Sequence, residues 1–560
     1  MQKKSVILLA ISLLLLLNIK AQDLVWVKQI GNAGGTILDI KHATDAAGNI
    51  YATGAYNGTV DFDPGNGVNN LTPTKTTGVF IQKLDPSGAL VWAKQVEGSK
   101  GGGIYVDAAG NVYVTGQFFD TSDLDPGPGT LNLTSAGAGV FVLKLNSSGN
   151  LVWAKGIAQT YSTDLLVGIK ADATGNVYIA GSHRYPLTDF DPGPGVVTLN
   201  VTTEQTYVLK LNISGDFAWV RAIECSSPAI NRPYDMDVDA SGNVYVTGDF
   251  TATVDADPGP GIANLTSGSG YNIYVWKLTT AGNLGWAKGM GTTNSSRSWG
   301  ASIVADNTGN VYTTGLFQGN STFGTFALTG PSATTEFSTF MVKQNVSGDV
   351  IWANMLGPSG NVYGSHVEAD ATGVYYTGSF ESTIDFDPGT GTANMVPAGN
   401  ADQFILHLDT GANFNWVRKM GGASASVNPY TLNIDATKNV YTSGLFSGTV
   451  DFDPGPAVTN LSSPGNFGFI HKMNTPSFIG NINKGHNLDV YPNPASDILV
   501  VDIPSDGELI LFDIIGSEVL RKTVRMGKQN VGLNDLQAGT YVLYFSDTTG
   551  GAFAQKIVKN

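Results

Sequence analysis

With 560 residues, 70 glycines, 24 prolines and only 14% charged residues, the chain reads as a turn-rich β protein, and its apolar content excludes wholesale disorder. Its formal charge of −15, about −18 once Lys3, Lys4 and Lys20 of the N-terminal segment are set aside, excludes nucleic acid and anionic membrane surfaces as partners, because both demand basic patches. The single cysteine, Cys225, excludes an internal disulfide, so packing and sheet closure must hold the fold.

Residues 1–21 have the layout of a cleavable signal peptide. Lys3 and Lys4 are followed by an apolar run, Val6 to Leu17, and then by Ala21 before Gln22. No cysteine follows the run to carry a lipid, and no later stretch has the length and apolarity of a membrane helix. From 22 to 474 a unit of about 65 residues recurs. Its mark is Gly-Asn-Val/Ile-Tyr, at Gly48, Gly110, Gly175, Gly242 and Gly309; the sixth copy, Gly373-Val374-Tyr375, loses the Asn and the seventh, Lys438-Asn439-Val440-Tyr441, loses the Gly. An aspartate stands three residues ahead of each mark, from Asp45 to Asp435. Asp, Gly and Asn are the residues of tight hairpin turns. Alternating strand residues follow, as in Val112 to Gly116.

Each unit holds four strand candidates, in the second unit Ile104–Val106, Asn111–Gln117, Val140–Leu145 and Leu151–Lys155. Four short antiparallel strands make one propeller blade. Trp92, Trp153, Trp219, Trp286, Trp352 and Trp416 mark the fourth strand of six units, and one fixed Trp per unit points to packing between blades. The seventh unit stops after its third strand, Phe469 to Met473, and the missing one stands at the other end of the chain, Asp23 to Lys28 with Trp26. The expected fold is all-β: a seven-bladed β-propeller closed by its N-terminal strand, which removes two open sheet edges at once. The pattern D-x-x-G-N-V-Y-V-T-G, followed by a Lys-bearing strand and G-x-L-x-W-A-K, resembles the SBBP class of bacterial β-propeller repeats. That resemblance implies a propeller and carries no catalytic residues with it.

Two repeated features are candidates for chemistry. Asp-x-Asp-Pro-Gly occurs at Asp61-Asp63, Asp123-Asp125, Asp189-Asp191, Asp255-Asp257, Asp385-Asp387 and Asp451-Asp453, between the second and third strands; the fifth unit has Ser321-Thr322-Phe323-Gly324 instead. Residues two apart in extended chain share a side, so two carboxylates with loop carbonyls suit Ca²⁺; Asp before Pro-Gly equally suits a plain turn. In the links between blades an aromatic recurs, Tyr161, Tyr234, Trp299, Tyr363 and Tyr430, as sugar-stacking residues do and as covering residues do. His183, Arg184, Glu224, Arg232 and His366 break the repeat, but spacing assembles them into no site. No phosphate loop, H-E-x-x-H or C-x-x-C is present, and Cys225 reads as a small packed residue.

Residues 475–487 read as a linker. The remainder, 488–560, carries Tyr491-Pro492-Asn493-Pro494 and strand patterns at Asp497–Ile503, Glu508–Asp513, Glu518–Val524, Gly539–Ser546 and Ala552–Val558, punctuated by Gly516, Gly527 and Gly550; this fits a small Ig-like β-sandwich. The segment resembles the type A sorting domain of the type IX secretion system of Bacteroidota, on Tyr491 to Pro494, Asp513 to Gly516, Leu536 to Tyr541 (with Gly539) and the basic end Lys556 to Lys559. The resemblance implies the type IX machinery as partner, removal of this domain, and an extracellular or outer-membrane location. Three functions fit: a binding or adhesion scaffold for a surface glycan or protein, a polysaccharide-active enzyme, or a structural surface component. The scaffold is the reading adopted, because acidic pairs spread evenly over repeats do not make one asymmetric catalytic site.

Overall fold

The computed structural model describes residues 24–560 apart from 33, 158–165, 185–187, 200, 202, 226–227, 292–295, 332–335, 358–360, 456, 476–488, 514–517 and 548–551. The expected signal peptide and, save Thr475, the expected linker lie outside the described residues. The chain divides into two compact units. One is Trp26–Phe452 with Thr459–Lys472; the other comprises Met1–Val25, Asp453–Val458 and Met473–Asn560. Among the described residues no helix is long and apolar enough to cross a membrane.

The large unit is a propeller-like succession of small antiparallel sheets, one main sheet per sequence repeat with shorter two- and three-stranded sheets beside them. The second sheet is representative: Lys100–Val106, Val112–Asp123, Asn132–Leu145 and Leu151–Ile157 pair in chain order. The first strands of the seven sheets are Lys41–Thr44, Lys100–Val106, Leu166–Ala171, Asn231–Val238, Ser298–Ala305, Val362–Asp370 and Ser426–Ile434. In the first sheet this strand is broken, and Gly35–Ile37 pairs separately with the same neighbour, Ile50–Gly58. The seventh sheet takes its fourth strand, Leu24–Ile30, from the chain's N-terminal side.

The repeat motif folds as one hydrogen-bonded device. Asp45 Oδ1 accepts from the Ala47 and Asn49 amides at 3.0 and 2.9 Å, and its Oδ2 accepts from Asn49 Nδ2 at 2.8 Å and Tyr51 Oη at 3.1 Å. Gly48 closes the turn at φ +80°, where a side chain is disfavoured. The lysine of the third strand then lies over the same tyrosine, Lys83 Nζ 5.0 Å from the Tyr51 ring. The tryptophan reaches the following sheet: Trp286 Nε1 donates to Val346 O at 3.0 Å. Trp26 does the same from the seventh sheet to the first, donating to Pro86 O at 3.1 Å, and Lys472 Nζ reaches that carbonyl at 3.3 Å.

The two deviant copies compensate each other. The sixth turn lacks the Asn, so Asp370 Oδ2 instead accepts from Lys438 Nζ at 2.5 Å. Lys438 stands where the other units have Gly and takes φ +68°. In the same sheet His407 replaces the stacking lysine and lies on Tyr375, ring centroids 4.1 Å apart.

The Gly that follows the strand Thr or Ser also has a physical reason. A Cβ at Gly248 would lie 1.8 Å from the Arg232 carbonyl, and one at Gly378 2.1 Å from the Tyr363 carbonyl. At that point the register slips by one residue, between Pro233 and Asp235 and between Gly364 and His366. Such a bulge re-aims the strand beyond it.

The small unit holds a three-stranded sheet, Asp489–Tyr491, Ile498–Ile503 and Gly527–Gly532, and a four-stranded one, Glu518–Val524, Gly507–Asp513, Gly539–Asp547 and Ala552–Lys559. They share a core that includes Leu499, Val501, Leu509, Leu511, Leu543 and Phe545. Gly527, read from the sequence as punctuation, instead opens a strand. Its residues, Gly-Lys-Gln-Asn-Val-Gly, are poor in the β-branched and aromatic side chains that announce strands.

Candidate functional site

The first strands of all seven sheets line one cavity of about 680 Å³. Register sorts the residues of these strands into two tiers, all but Ser302 and Asp237 lining the cavity. One holds Lys41, Gly103, Gly168, Asp235, Ser302, His366 and Thr431, each paired across to the Thr, Ala or Ser before the bulge glycine. The other, two residues further along each strand, holds Ala43, Tyr105, Lys170, Asp237, Val304, Glu368 and Asn433. The backbone repeats around the cavity and the side chains do not.

Charged groups gather on these strands, and two of them are in contact. Lys170 Nζ lies 3.1 Å from Asp237 Oδ1. Burial opposes the Lys170 ammonium, but Asp237, Glu368 and Asp235 overcome it and hold its pKa above the ordinary lysine value. Asp235 accepts from Ser302 Oγ at 2.7 Å and the Ile303 amide at 3.0 Å, yet burial still leaves its pKa raised. Burial pushes Glu368 up to about 7 against the pull of Lys170; Asn433 Nδ2 donates to it at 3.1 Å. Lys41 donates to Val167 O at 3.1 Å, and burial lowers its pKa despite Asp235 and Asp39. His366 is brought down to about 3 by burial, then by Lys170 and Lys41, so its imidazole is neutral at pH 7. His42 is lowered to about 3 by burial and by His366; its Nδ1 bonds Ser443 Oγ at 2.8 Å and Thr431 Oγ1 at 2.6 Å.

Of the aromatics singled out in sequence, Tyr234, Trp299 and Tyr430 line the cavity. Tyr363 is not a lining residue and lies 6.4 Å from Phe337, which packs on Trp299 at 5.0 Å. Tyr161 lies outside the described residues. The aromatics do not occupy one repeat position. Tyr234 and Tyr430 are bulge residues, whereas Trp299 and Tyr363 pair across to Leu316 and Ser379.

The Asp-x-Asp-Pro-Gly carboxylates stand elsewhere, each closing its own loop. Asp255 Oδ1 accepts from the Asp257 amide at 3.0 Å and the Ala263 amide at 2.8 Å; Asp257 Oδ1 accepts from the Gly259 amide at 2.8 Å. The arrangement recurs at Asp61-Asp63, Asp123-Asp125, Asp189-Asp191 and Asp385-Asp387. In the last copy Asp451 accepts from the Thr459 amide and Asp453 from that of Gly455, both at 2.8 Å. Among the described residues no three His, Cys, Asp or Glu side chains are placed to hold a metal ion. In the fifth repeat a short hairpin, Asn320–Phe323 with Phe326–Thr329, replaces the motif. Asp255→Ala should cost about 2 kcal/mol, two backbone bonds at about 1 each. Thermal melts in Ca²⁺ and in chelator test this. An equal loss in both marks a turn; a Ca²⁺-dependent gain in wild type that the variant lacks marks a cation site.

Among the repeat-breaking residues, His366 is in the cavity, and Arg184 and Arg232 share Glu204 Oε2 at 2.6 and 2.8 Å. Glu224 pairs across to Asp255 in a short strand. His183 takes a core position that is Phe118, Phe250 or Phe317 in other sheets, edge-on to Phe190 at 5.2 Å. Burial lowers its pKa to about 4, and neither ring nitrogen has a partner among the described residues. The unfolded chain takes up this proton near pH 6.5, the folded one only near 4, so stability falls as pH drops through that window. His183→Phe should gain about 1–2 kcal/mol at pH 7 and more at pH 5. Urea melts at the two pH values check it. Cys225 is pushed up to about 11 by burial and is not a poised nucleophile.

The sorting-motif residues act inside the small unit. Asn493 clasps the last strand, donating from Nδ2 to Lys556 O and accepting at Oδ1 from the Val558 amide, both at 2.8 Å. Tyr541 Oη donates to Gln537 O at 2.8 Å, Gly539 pairs with Lys559, and Lys528 Nζ lies 5.5 Å from the Tyr491 ring.

Residues 489–560 match the family of secretion-system C-terminal sorting domains, Por_Secre_tail. The chain thus carries a type IX secretion sorting domain, the mark of an exported protein. An uncharacterized WD repeat-containing protein of Acanthamoeba polyphaga mimivirus is 22% identical over 449 residues, covering 66% of this chain; the chain spans 32% of that relative's length. A Dyadobacter fermentans protein of unknown function aligns with 81% of this chain and 100% of its own at 9% identity and TM-score 0.34. PorZ of Porphyromonas gingivalis, described as an essential surface component of the type IX secretion system, aligns with 95% of this chain and 100% of its own at 10% identity and TM-score 0.17. Scores at this level carry no functional argument.

Proposed function

We propose that the seven sheets are the blades of a closed SBBP-type propeller, that the small unit is an Ig-like sorting domain removed after export, and that the mature protein is a binding scaffold outside the cell. Its ligand enters the central cavity. The carrying observation is the mismatch between the repeating backbone of that cavity and its unlike side chains: Lys41, Asp235, His366 and Glu368 stand at equivalent or neighbouring ranks, with Tyr234, Trp299 and Tyr430 beside them. Stacking rings beside mixed donors and acceptors suit the apolar face and hydroxyls of a sugar. Contacts from the seventh sheet to the first support closure, including those of Trp26 and Lys472 with Pro86 and of His42 with Ser443.

Titration calorimetry of the purified chain with neutral oligosaccharides tests the reading. Trp299→Ala should weaken binding at least about tenfold, the usual worth of a stacked ring at a site's centre. Unchanged affinity would remove the cavity from consideration. A glycan-active enzyme is the second reading, favoured by one observation: Glu368, held near 7, is poised as a general acid. Release of reducing ends from the bound oligosaccharides, lost in Glu368→Gln, would select it.

A further inference from the structure

We infer that the cavity rim between the third, fourth and fifth sheets is a subsite for an acidic sugar, in which Arg297 meets the oxyanion and Asp249 receives a hydroxyl. This rests on the reading of the cavity as a ligand site. Of the chain's seven arginines, three gather here, in a protein whose formal charge is −15. Arg184 and Arg232 both donate to Glu204 Oε2, while Ser182 Oγ donates to Oε1 at 3.1 Å, so that carboxylate is fully engaged and fixes Arg232. Arg232 and Arg297 lie over one ring, Tyr271, with guanidinium carbons 6.0 and 5.1 Å from its centroid. Arg297 is exposed and makes no ion pair among the described residues.

Asp249 is the second observation. It is 4% exposed, and its Oδ1 has no hydrogen-bond partner among the described residues. Tyr234 Oη donates to its Oδ2 at a long 3.3 Å. Tyr234 also lines the cavity and so links Asp249 to it. A buried carboxylate oxygen without a donor is rare in a finished core and common where a ligand hydroxyl completes the set. The equivalent rank elsewhere holds Gln117, Leu316 or Ser379, and the Arg232 rank holds Lys100, Trp299 or Tyr363. This sector has therefore left the repeat at positions that the fold does not dictate. A guanidinium carried over a ring is suited to a carboxylate or sulfate.

The test is titration of the full chain with a galacturonate trisaccharide, a sulfated trisaccharide and a neutral trisaccharide. Wild type should prefer a charged probe by at least about tenfold, as a charge-assisted hydrogen bond would give. Galacturonate and sulfate separate the two oxyanions. Arg297→Gln should abolish the preference and leave neutral binding in place. Asp249→Asn, nearly isosteric, should weaken charged and neutral probes alike. Arg221→Gln, stacked on Trp219 and remote from the rim, is the control and should change nothing. Equal binding of neutral and charged probes in wild type, or a preference that survives Arg297→Gln, overturns the rim and leaves the cavity reading standing. No binding of any probe sinks both.

Discussion

A chain lacking Leu24–Ile30 should fail to reach a stable native state. This strand is the outer edge of the seventh sheet, beside Asn460–Asn474. Ile30 is fully buried in a core that also contains Ile37, Ile50, Tyr441 and Ile470, with Trp26 packed against it. Fully burying one such aliphatic side chain contributes about 1.5–3 kcal/mol, and the strand adds a ladder of backbone bonds. Domain stability totals only about 5–15 kcal/mol, so losing the strand removes a large share. The deletion also uncovers a long edge, an invitation to aggregate. Limited proteolysis and thermal melting report the effect. Supplying the segment as a peptide should restore part of the protection. A deletion variant that melts like wild type would refute the role given to the strand.

Removing residues 489–560 should cut extracellular protein by at least about tenfold and leave it in the periplasm, as loss of a receptor-read address does. The segment has its own two-sheet core, so its loss should not unfold the rest. Immunoblots of periplasmic and extracellular fractions, with melting of the truncated chain, separate failed export from failed folding. Normal extracellular yield would dismiss the address. Asn493→Ala gives a graded version: two bonds to the last strand are lost, at about 1 kcal/mol each. Its export should fall in proportion to the fraction of sorting domain unfolded.

The repeats were legible because the first five units print their turn, stacking pair and tryptophan in fixed order, and the last two depart from it at single positions or at the chain's end. The cavity is legible by the same logic. Its tiers are the residues two and four places before each turn aspartate, such as Asp237 and Asp235 before Asp239. Period-two alternation puts both on one face. Their signal is unlike residues at equal rank, which a repeat pattern does not carry. The aromatics misled for a related reason. Spacing alone does not show the bulge that separates Tyr234 from Arg232 and hence from Trp299, because the slip depends on a carbonyl meeting a glycine across the sheet. Asp249 was invisible in sequence: its significance lies in a buried Oδ1 without a donor among the described residues, a tertiary fact.

The bond from Lys438 to Asp370 has a consequence for how such chains diversify. Tandem repeats spread by duplication and exchange, which presumes that any copy can replace any other. Here the sixth copy dispenses with its own asparagine because the seventh supplies an ammonium, and the seventh accepts a left-handed lysine to do so. Swap the sixth for a copy of the second, and Lys438 would meet an aspartate already satisfied by its own turn, keeping the strain without the bond. The last two units should therefore behave as a pair, with recombination tolerated among the earlier copies and penalised across that junction.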